Sequence, residues 1–343
     1  MAAQKDIVIA AATGYGWPEV EPWARSLAAS DFAGVGAVIV YDRDVRGDAI
    51  ADNLESLGLY PIRMSLRGSI YNQRFEDVAQ VLRTFRHSLR FAVVTDVRDV
   101  YFQADPIQWL ENHLSRTFVA VSEGVRYCDE GWNRDNLRHG FPELAERVWS
   151  KVVCNVGVLA GRADAISNLC VAISRVAASS GVPVADQSGY NVLLDMEPFR
   201  SAVQLVTSDD GFACQAGTLA DPNRVGVLRP FLLEPEPIWS GADVRTSTGK
   251  LYPIVHQYDR VPEWKRAFSA ELRSTPVRRP GSSRAALVRV LGDADGASVS
   301  DVARSFGVPR DRSAIPLYSA DQKMDSAARR PRVKPGRPGS AGG

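Results

Sequence analysis

The sequence predicts an α/β fold: a mostly parallel central sheet flanked by helices, in a single large domain. Two observations carry the prediction. Short runs that are hydrophobic throughout recur along the first third of the chain, and helical periods of ten or more residues separate them. A third supports it: 45% hydrophobic against 24% charged residues in 343 is enough to build a sizeable core.

Asp6–Ala12, rich in Ile, Val and Ala, reads as a buried first strand that Thr13-Gly14 ends. Pro18–Ser30 opens a helix with Pro18 in its first turn. Ala37–Tyr41 is a second strand, Asp44–Leu57 a helix closed by Gly58, and Tyr60–Leu66 a third strand. In Tyr71–Leu89, the residues Phe75, Val78, Val81, Leu82 and Phe85 recur at helical spacing and form one apolar face. Phe91–Thr95 is a fourth strand, apolar until it meets acids. Asp105-Pro106 has the form of a helix cap before Ile107–Leu114.

Beyond Thr117 the pattern loosens. Phe118–Ser122 reads as a strand, Arg126–Asn136 as a polar loop and Pro142–Trp149 as helical. Val152–Gly161 is an apolar segment interrupted by Asn155 and Gly157. Helices are expected over Ala163–Ala178 and Asp186–Leu194, and strands over Val203–Val206 and Tyr252–Val255, the last ending in His256. The domain is expected over 1–270. Residues 271–343 form an Arg/Pro/Gly-rich tail whose composition cannot offset its ordering entropy, with a short helix at Ala285–Leu291.

Charge and cysteine usage narrow the function. Lys+Arg (41) and Asp+Glu (40) nearly cancel, leaving no basic field for nucleic acid. No run reaches the roughly 18 apolar residues of a membrane span, and Ile7–Ala12 lacks the flanks of a secretory signal. Cys128, Cys154, Cys170 and Cys214 are far apart without C-x-x-C spacing, so they read as reduced, packed thiols of a cytoplasmic protein.

Parallel sheets bind ligands beyond the carboxyl ends of their strands, which singles out Thr13–Gly16, Tyr41–Arg43 and Asp96–Asp99. At the last of these a buried strand delivers Asp96 and Asp99 to its mouth. Carboxylates there must be solvated, ion-paired or metal-bound. Two readings stand: a pair with Arg98, or a hard divalent cation held together with substrate phosphates.

The stretch Thr95–Pro106 resembles the T-D-x-R-D-x-x-F-Q-x-D-P segment of GT-A-fold nucleotide-diphospho-sugar transferases. Further segments follow in the same order: Ser122-Glu123-Gly124, Tyr127 to Asn133, Asn155–Arg162, Asp186-Gln187 with Asn191, and Val255–Asp259. The resemblance covers roughly residues 6–265. It implies a GT-A-type fold and a hexosyltransferase-like glycosyltransferase moving a sugar from a nucleotide-diphosphate donor, such as a UDP-sugar, to an acceptor hydroxyl.

It also implies roles. Asp96 and Asp99 grip the donor diphosphate through Mn²⁺ or Mg²⁺, and His256, matching the late histidine of family-8-type relatives, completes the metal shell. Arg98 replaces the second acid of the commoner D-x-D form; on a strand it shares a side with Asp96 and would contact phosphate itself. Thr13, Gly14 and Tyr15 would border the nucleotide, and Arg74 would approach the donor. Asp186 and Gln187 match the D-Q-x-x-x-N segment of retaining enzymes and are the candidate catalytic pair. Glu123 is an acceptor-side acid, Asn155 and Gly157 a cleft wall, and Trp132-Asn133 either a sugar-stacking face or core. Two other classes fit less well: a nucleotidyltransferase or sugar-phosphate hydrolase, which would want a lysine in Thr13–Gly16, and a non-catalytic nucleotide-sugar- or carbohydrate-binding relative, which Arg98 favours.

Overall fold

The computed structural model describes residues 4–274. Its strands are β1 (Lys5–Ala12), β2 (Val35–Val40), β3 (Tyr60–Arg63), β4 (Leu89–Thr95), β5 (Val100–Phe102), β6 (Phe118–Arg126), β7 (Val152–Arg162), β8 (Val203–Val206), β9 (Ala213–Gln215), β10 (Ile238–Trp239), β11 (Val244–Arg245) and β12 (Ile254–His256). The helices are α1 (Trp17–Ala29), α2 (Val45–Ser56), α3 (Ile70–Thr84), α4 (Pro106–His113), α5 (Gly131–Gly140), α6 (Ala145–Val148), α7 (Ala163–Ser179), α8 (Asp186–Leu194), α9 (Phe199–Ala202), α10 (Ala216–Leu219), α11 (Val225–Leu228) and α12 (Pro262–Ser274).

Seven strands form one sheet in the order β3-β2-β1-β4-β7-β6-β8. Pairing is parallel between β1 and β2, β1 and β4, β2 and β3, and β6 and β8. Only β7 runs against its neighbours. The sheet is thus mostly parallel, as its uninterrupted apolar strands require, because both faces are covered. Ile7 and Ile9 bury on one face with Phe75, Val78 and Leu82 of α3 and Ile166 and Leu169 of α7. Their alternating neighbours Val8 and Ala10 bury on the other with Trp23 and Leu27 of α1 and Ile50 and Leu54 of α2.

Local chemistry sets the helix starts. Asp44 caps α2 by accepting from the Arg46 and Gly47 amides, and Asp105 caps α4 by accepting from the Ile107 amide at 2.8 Å. Pro18 sits in the first turn of α1, where its missing N–H costs nothing.

Four elements differ from expectation. β3 stops at Arg63 rather than Leu66, because it is an edge strand whose partner β2 ends at Val40, opposite Arg63. The helix expected over Tyr71–Leu89 ends at Thr84, since Leu89 already belongs to β4 and pairs with Lys5. The expected polar loop Arg126–Asn136 holds the end of β6, a 3₁₀ turn and most of α5, whose start Glu130 caps by accepting from the Asn133 amide at 2.7 Å. A second, three-stranded sheet β5-β12-β9 forms beside the first from strands too short to carry a period.

The described residues lie within one compact unit. The expected boundary after residue 270 falls inside α12, where Leu272 is buried with Tyr101 and Phe268. The remaining tail, with the helix expected at Ala285–Leu291, lies outside the described residues. All four cysteines are free, and three are buried. Among the described residues no helix is long and apolar enough to cross a membrane.

From β1 the chain winds outward through β2 to β3, then returns to lay β4 on the other flank of β1. That reversal opens a crevice beyond the carboxyl ends of β1 and β4. Thr13–Tyr15 and Asp96–Asp99 are the residues that leave those two strands.

Candidate functional site at the carboxyl edge of the sheet

β4 is pinned at its end by Thr95, whose Oγ1 accepts from the buried Trp23 Nε1 at 2.8 Å. The chain then bends instead of continuing as strand. The Asp96 amide donates to the Gly157 carbonyl at 2.9 Å, and the Gln257 amide donates to the Asp99 carbonyl at 2.6 Å. The bend is therefore tied to β7 at one end and to the end of β12 at the other. β5 starts one residue after Asp99 and pairs with β12 so that Val100 faces His256.

This arrangement brings together one ligand atom each from Asp96, Asp99 and His256, all within 4.8 Å of one another. His256 is 2% exposed, and its Nε2 lies 3.5 Å from Asp96 Oδ2 and 3.7 Å from Asp99 Oδ1. No hydrogen bond satisfies that nitrogen. A buried ring nitrogen with no hydrogen bond, facing two carboxylate oxygens, is a donor set that fits a cation. Two carboxylates plus an imidazole also suit Mn²⁺, with Mg²⁺ accepting the oxygens.

Gly157 makes room for this. A Cβ on it would stand 2.7 Å from His256 Cε1 and 2.9 Å from both Asp96 Oδ2 and Asn155 Oδ1. The interruption of the apolar segment Val152–Gly161 thus marks the point of closest approach between β7 and the acids.

Arg74, on the first turns of α3, forks between two acids. One terminal nitrogen contacts Asp96 Oδ1 and the other donates to Asp186 Oδ2 at 3.0 Å. The Asp96 oxygen facing Arg74 is not the one facing His256. Burial pushes the Asp96 carboxyl up, but the Arg74 guanidinium and His256 outweigh it and hold the group well below its usual range. Asp99 is raised, because burial dominates and the charges of Asp96 and Asp259 add to it against His256. Burial would lower His256, yet the Asp96 and Asp99 carboxylates raise it above its ordinary value. Asp186 is raised by burial despite Arg74.

Arg98 does not share a side with Asp96, because the segment bends. Its guanidinium, 42% exposed, turns to Asp99 Oδ2 at 3.5 Å and Asp259 Oδ2 at 3.7 Å. At the mouth of β1, Gly14 adopts φ +71°, a conformation glycine takes freely. Its amide donates to Asp42 Oδ2 at 2.7 Å, and Thr13 Oγ1 donates to Asp42 Oδ1 at 3.3 Å. Tyr15 is half-buried, and the charges of Arg98, Asp96 and Asp99 all act on its hydroxyl, whose pKa burial raises. Arg74, Asp96, Asp99, Asp186 and His256 are joined by ion pairs or close contacts, Arg98 by its pair with Asp99, and Tyr15 by the charges that reach it; Thr13 and Gly14 are tied to Asp42.

Gln187 is placed differently. Its Nε2 donates to Glu123 Oε1 at 3.0 Å and to Asn133 Oδ1 at 2.7 Å, while its Oε1 accepts from the Val156 amide at 3.3 Å. Asn155 Nδ2 also donates to Glu123 Oε1, at 2.7 Å, and Asn155 Oδ1 accepts from the Gly157 amide. Asn133 donates to Glu130, which Arg224 meets at 2.7 Å. Glu123, Asn133, Asn155 and Gln187 thus form a buried, hydrogen-bonded polar network next to the cluster of Asp96 and His256. Asn191 clamps α8 to β7 by accepting from the Cys154 amide and donating to its carbonyl, both at 2.8 Å. The pair Trp132-Asn133 splits: Asn133 is buried, and Trp132 is 51% exposed.

Two residues of the site went unnoticed in sequence. Asp42 lay only inside the candidate stretch Tyr41–Arg43. Gln215, whose Oε1 meets His256 Nδ1 at 2.7 Å, stands in a three-residue strand with no readable period. No protein-family model matches the chain, and no curated protein matches it either.

Proposed function

We propose that the chain is a glycosyltransferase of the GT-A type, moving a sugar from a nucleotide-diphosphate donor to an acceptor hydroxyl. The observation that carries the reading is the convergence of Asp96, Asp99 and His256 Nε2, a nitrogen with no hydrogen bond, at the switch point of the sheet. Asp96, Asp99 and His256 would hold Mn²⁺ or Mg²⁺, which when bound supplies positive charge for the departing diphosphate. Arg74 keeps Asp96 ionised, and ties Asp186 into the same crevice. Thr13, Gly14 and Tyr15, positioned by Asp42, border the nucleotide. Asp186, which Arg74 ties to Asp96, is the acid proposed to meet the sugar, whereas the hydrogen bonds of Gln187 run to Glu123, Asn133 and the Val156 amide. Retention at the anomeric carbon follows from the family-8-like segments. The acceptor is a saccharide or another hydroxyl compound.

A second reading, a non-catalytic nucleotide-sugar- or carbohydrate-binding relative, is favoured by one observation: Arg74 and Arg98 already pair with the two acids. A donor-hydrolysis screen across nucleotide sugars, with and without Mn²⁺, separates the two. Metal-dependent release of nucleoside diphosphate from at least one donor is expected. Tight binding with no turnover of any donor would favour the binder, and neither binding nor turnover would overturn both.

A further inference from the structure

We propose that Gln215 is a positioning residue that dictates which nitrogen of His256 carries the proton, and so keeps Nε2 open for a cation. The inference rests on the metal-centre reading above, but its geometry is separate.

β9 and β12 run parallel, and their register sets Gln215 directly beside His256. Gln215 is 0% exposed. Its Oε1 stands 2.7 Å from His256 Nδ1, and because a carbonyl oxygen cannot donate, this pairing forms a hydrogen bond when the proton is on Nδ1. In the neutral ring the proton is therefore at Nδ1 and the lone pair at Nε2, the atom aimed at Asp96 and Asp99.

The alternative tautomer would otherwise win. Two carboxylate oxygens at 3.5 and 3.7 Å invite a proton onto Nε2, where it would face both acids. A ring protonated there cannot bind a metal through that nitrogen. Gln215 opposes this by offering an acceptor on the far side of the ring. An amide can do so without adding a third negative charge to Asp96 and Asp99. Partners of this kind orient ligating imidazoles, and losing one costs about 10- to 100-fold in metal affinity. The Nε2 of Gln215 itself has no hydrogen-bond partner in this buried place, so the side chain is held against His256 without a second bond of its own.

The test combines two readouts on the full chain. Long-range ¹H–¹⁵N correlation of the imidazoles, in alkaline buffer without metal, reports each tautomer; with four histidines the assignment is tractable by comparison with His256→Ala. The wild type is expected to show His256 protonated at Nδ1, and Gln215→Leu to move the proton to Nε2. Calorimetric titration with Mn²⁺ is expected to weaken about 10- to 100-fold in Gln215→Leu and to recover in Gln215→Glu, which keeps an acceptor oxygen. An Nε2-protonated ring in the wild type would overturn the proposal, even if Gln215→Leu failed to fold. So would unchanged Mn²⁺ affinity in a folded Gln215→Leu. Wild-type protein with the Nδ1–H ring but no Mn²⁺ binding would instead defeat the metal-centre reading and leave the tautomer assignment standing.

Discussion

Two clusters of acids meet at Gly157 of β7, one through Asn155 and the other through Asp96 and His256, and they differ in how their charge is met. Around Glu123, neutral amides from Asn155, Gln187 and Asn133 donate to the carboxylate, and Arg224 anchors the far end through Glu130. Around Asp96 and Asp99, two arginines approach from the sides while the imidazole nitrogen at the centre is left without a bond. The first network is complete and behaves as scaffold. In the second, a buried imidazole nitrogen with no hydrogen bond faces two carboxylates, and that donor set, more than the number of acids, suits a cation.

The largest expected effect tests the open cluster. Asp99→Asn keeps the size of the side chain and the backbone carbonyl that Gln257 uses, but removes one charge. Donor hydrolysis is expected to fall by about 100-fold or more, with thermal stability nearly unchanged. Full activity in a folded variant would remove Asp99 from the site. His256→Ala is expected to raise the Mn²⁺ concentration needed for half-maximal activity, and an unchanged metal titration would exclude the ring.

Gly157→Ala sharpens the comparison, because β7 serves both clusters. The new methyl would press on His256, Asp96 and Asn155 together. We expect a loss of about 1–3 kcal/mol in denaturant unfolding, accompanied by weaker Mn²⁺ binding. Normal stability with normal binding would mean that the two walls are not in close contact.

The smallest effect belongs to the closed network and appears as a pH dependence. Burial raises the Glu123 carboxyl above the usual 4.5, and its amide partners only partly oppose this. Its protonated form is thus favoured by folding. The resulting stabilisation is fully present below 4.5 and is lost as pH rises through the folded value. Glu123→Gln lacks that loss, so its melting temperature relative to wild type should climb as pH increases above 4.5. A difference that stays flat, or falls, would show that the amides hold Glu123 ionised.

Much of this was legible in the sequence, for reasons that also explain the remainder. The uninterrupted apolar strands and the period of Phe75, Val78 and Leu82 announce a two-faced sheet, since both signals come from burial. Acids at the end of such a strand are conspicuous, so Asp96 and Asp99 stood out. A pair with Arg98 is one of the two readings of the sequence, and it forms with Asp99; the side expected to be shared by Arg98 and Asp96 is not, because strand alternation stops where the chain bends at Asp96. Gln187 is named with Asp186 from the D-Q-x-x-x-N resemblance, but one step along a helix turns a side chain by about 100°, and its bonds run to Glu123 and Asn133. β5 and β9 have three residues each, too few to show a pattern; β12 reads as a strand in the sequence, but its pairing with β9, which places Gln215 against His256, does not show there.

The central claim is that Asp96, Asp99 and His256 form a divalent cation site. Anomalous scattering from crystals grown with Mn²⁺ and a nucleoside diphosphate tests it most directly. The account predicts one strong peak within bonding distance of His256 Nε2 and an oxygen of each aspartate, with a phosphate oxygen on its open side. A map in which the metal binds elsewhere, or in which Arg74 and Arg98 close over the two acids with no density between them, would contradict it.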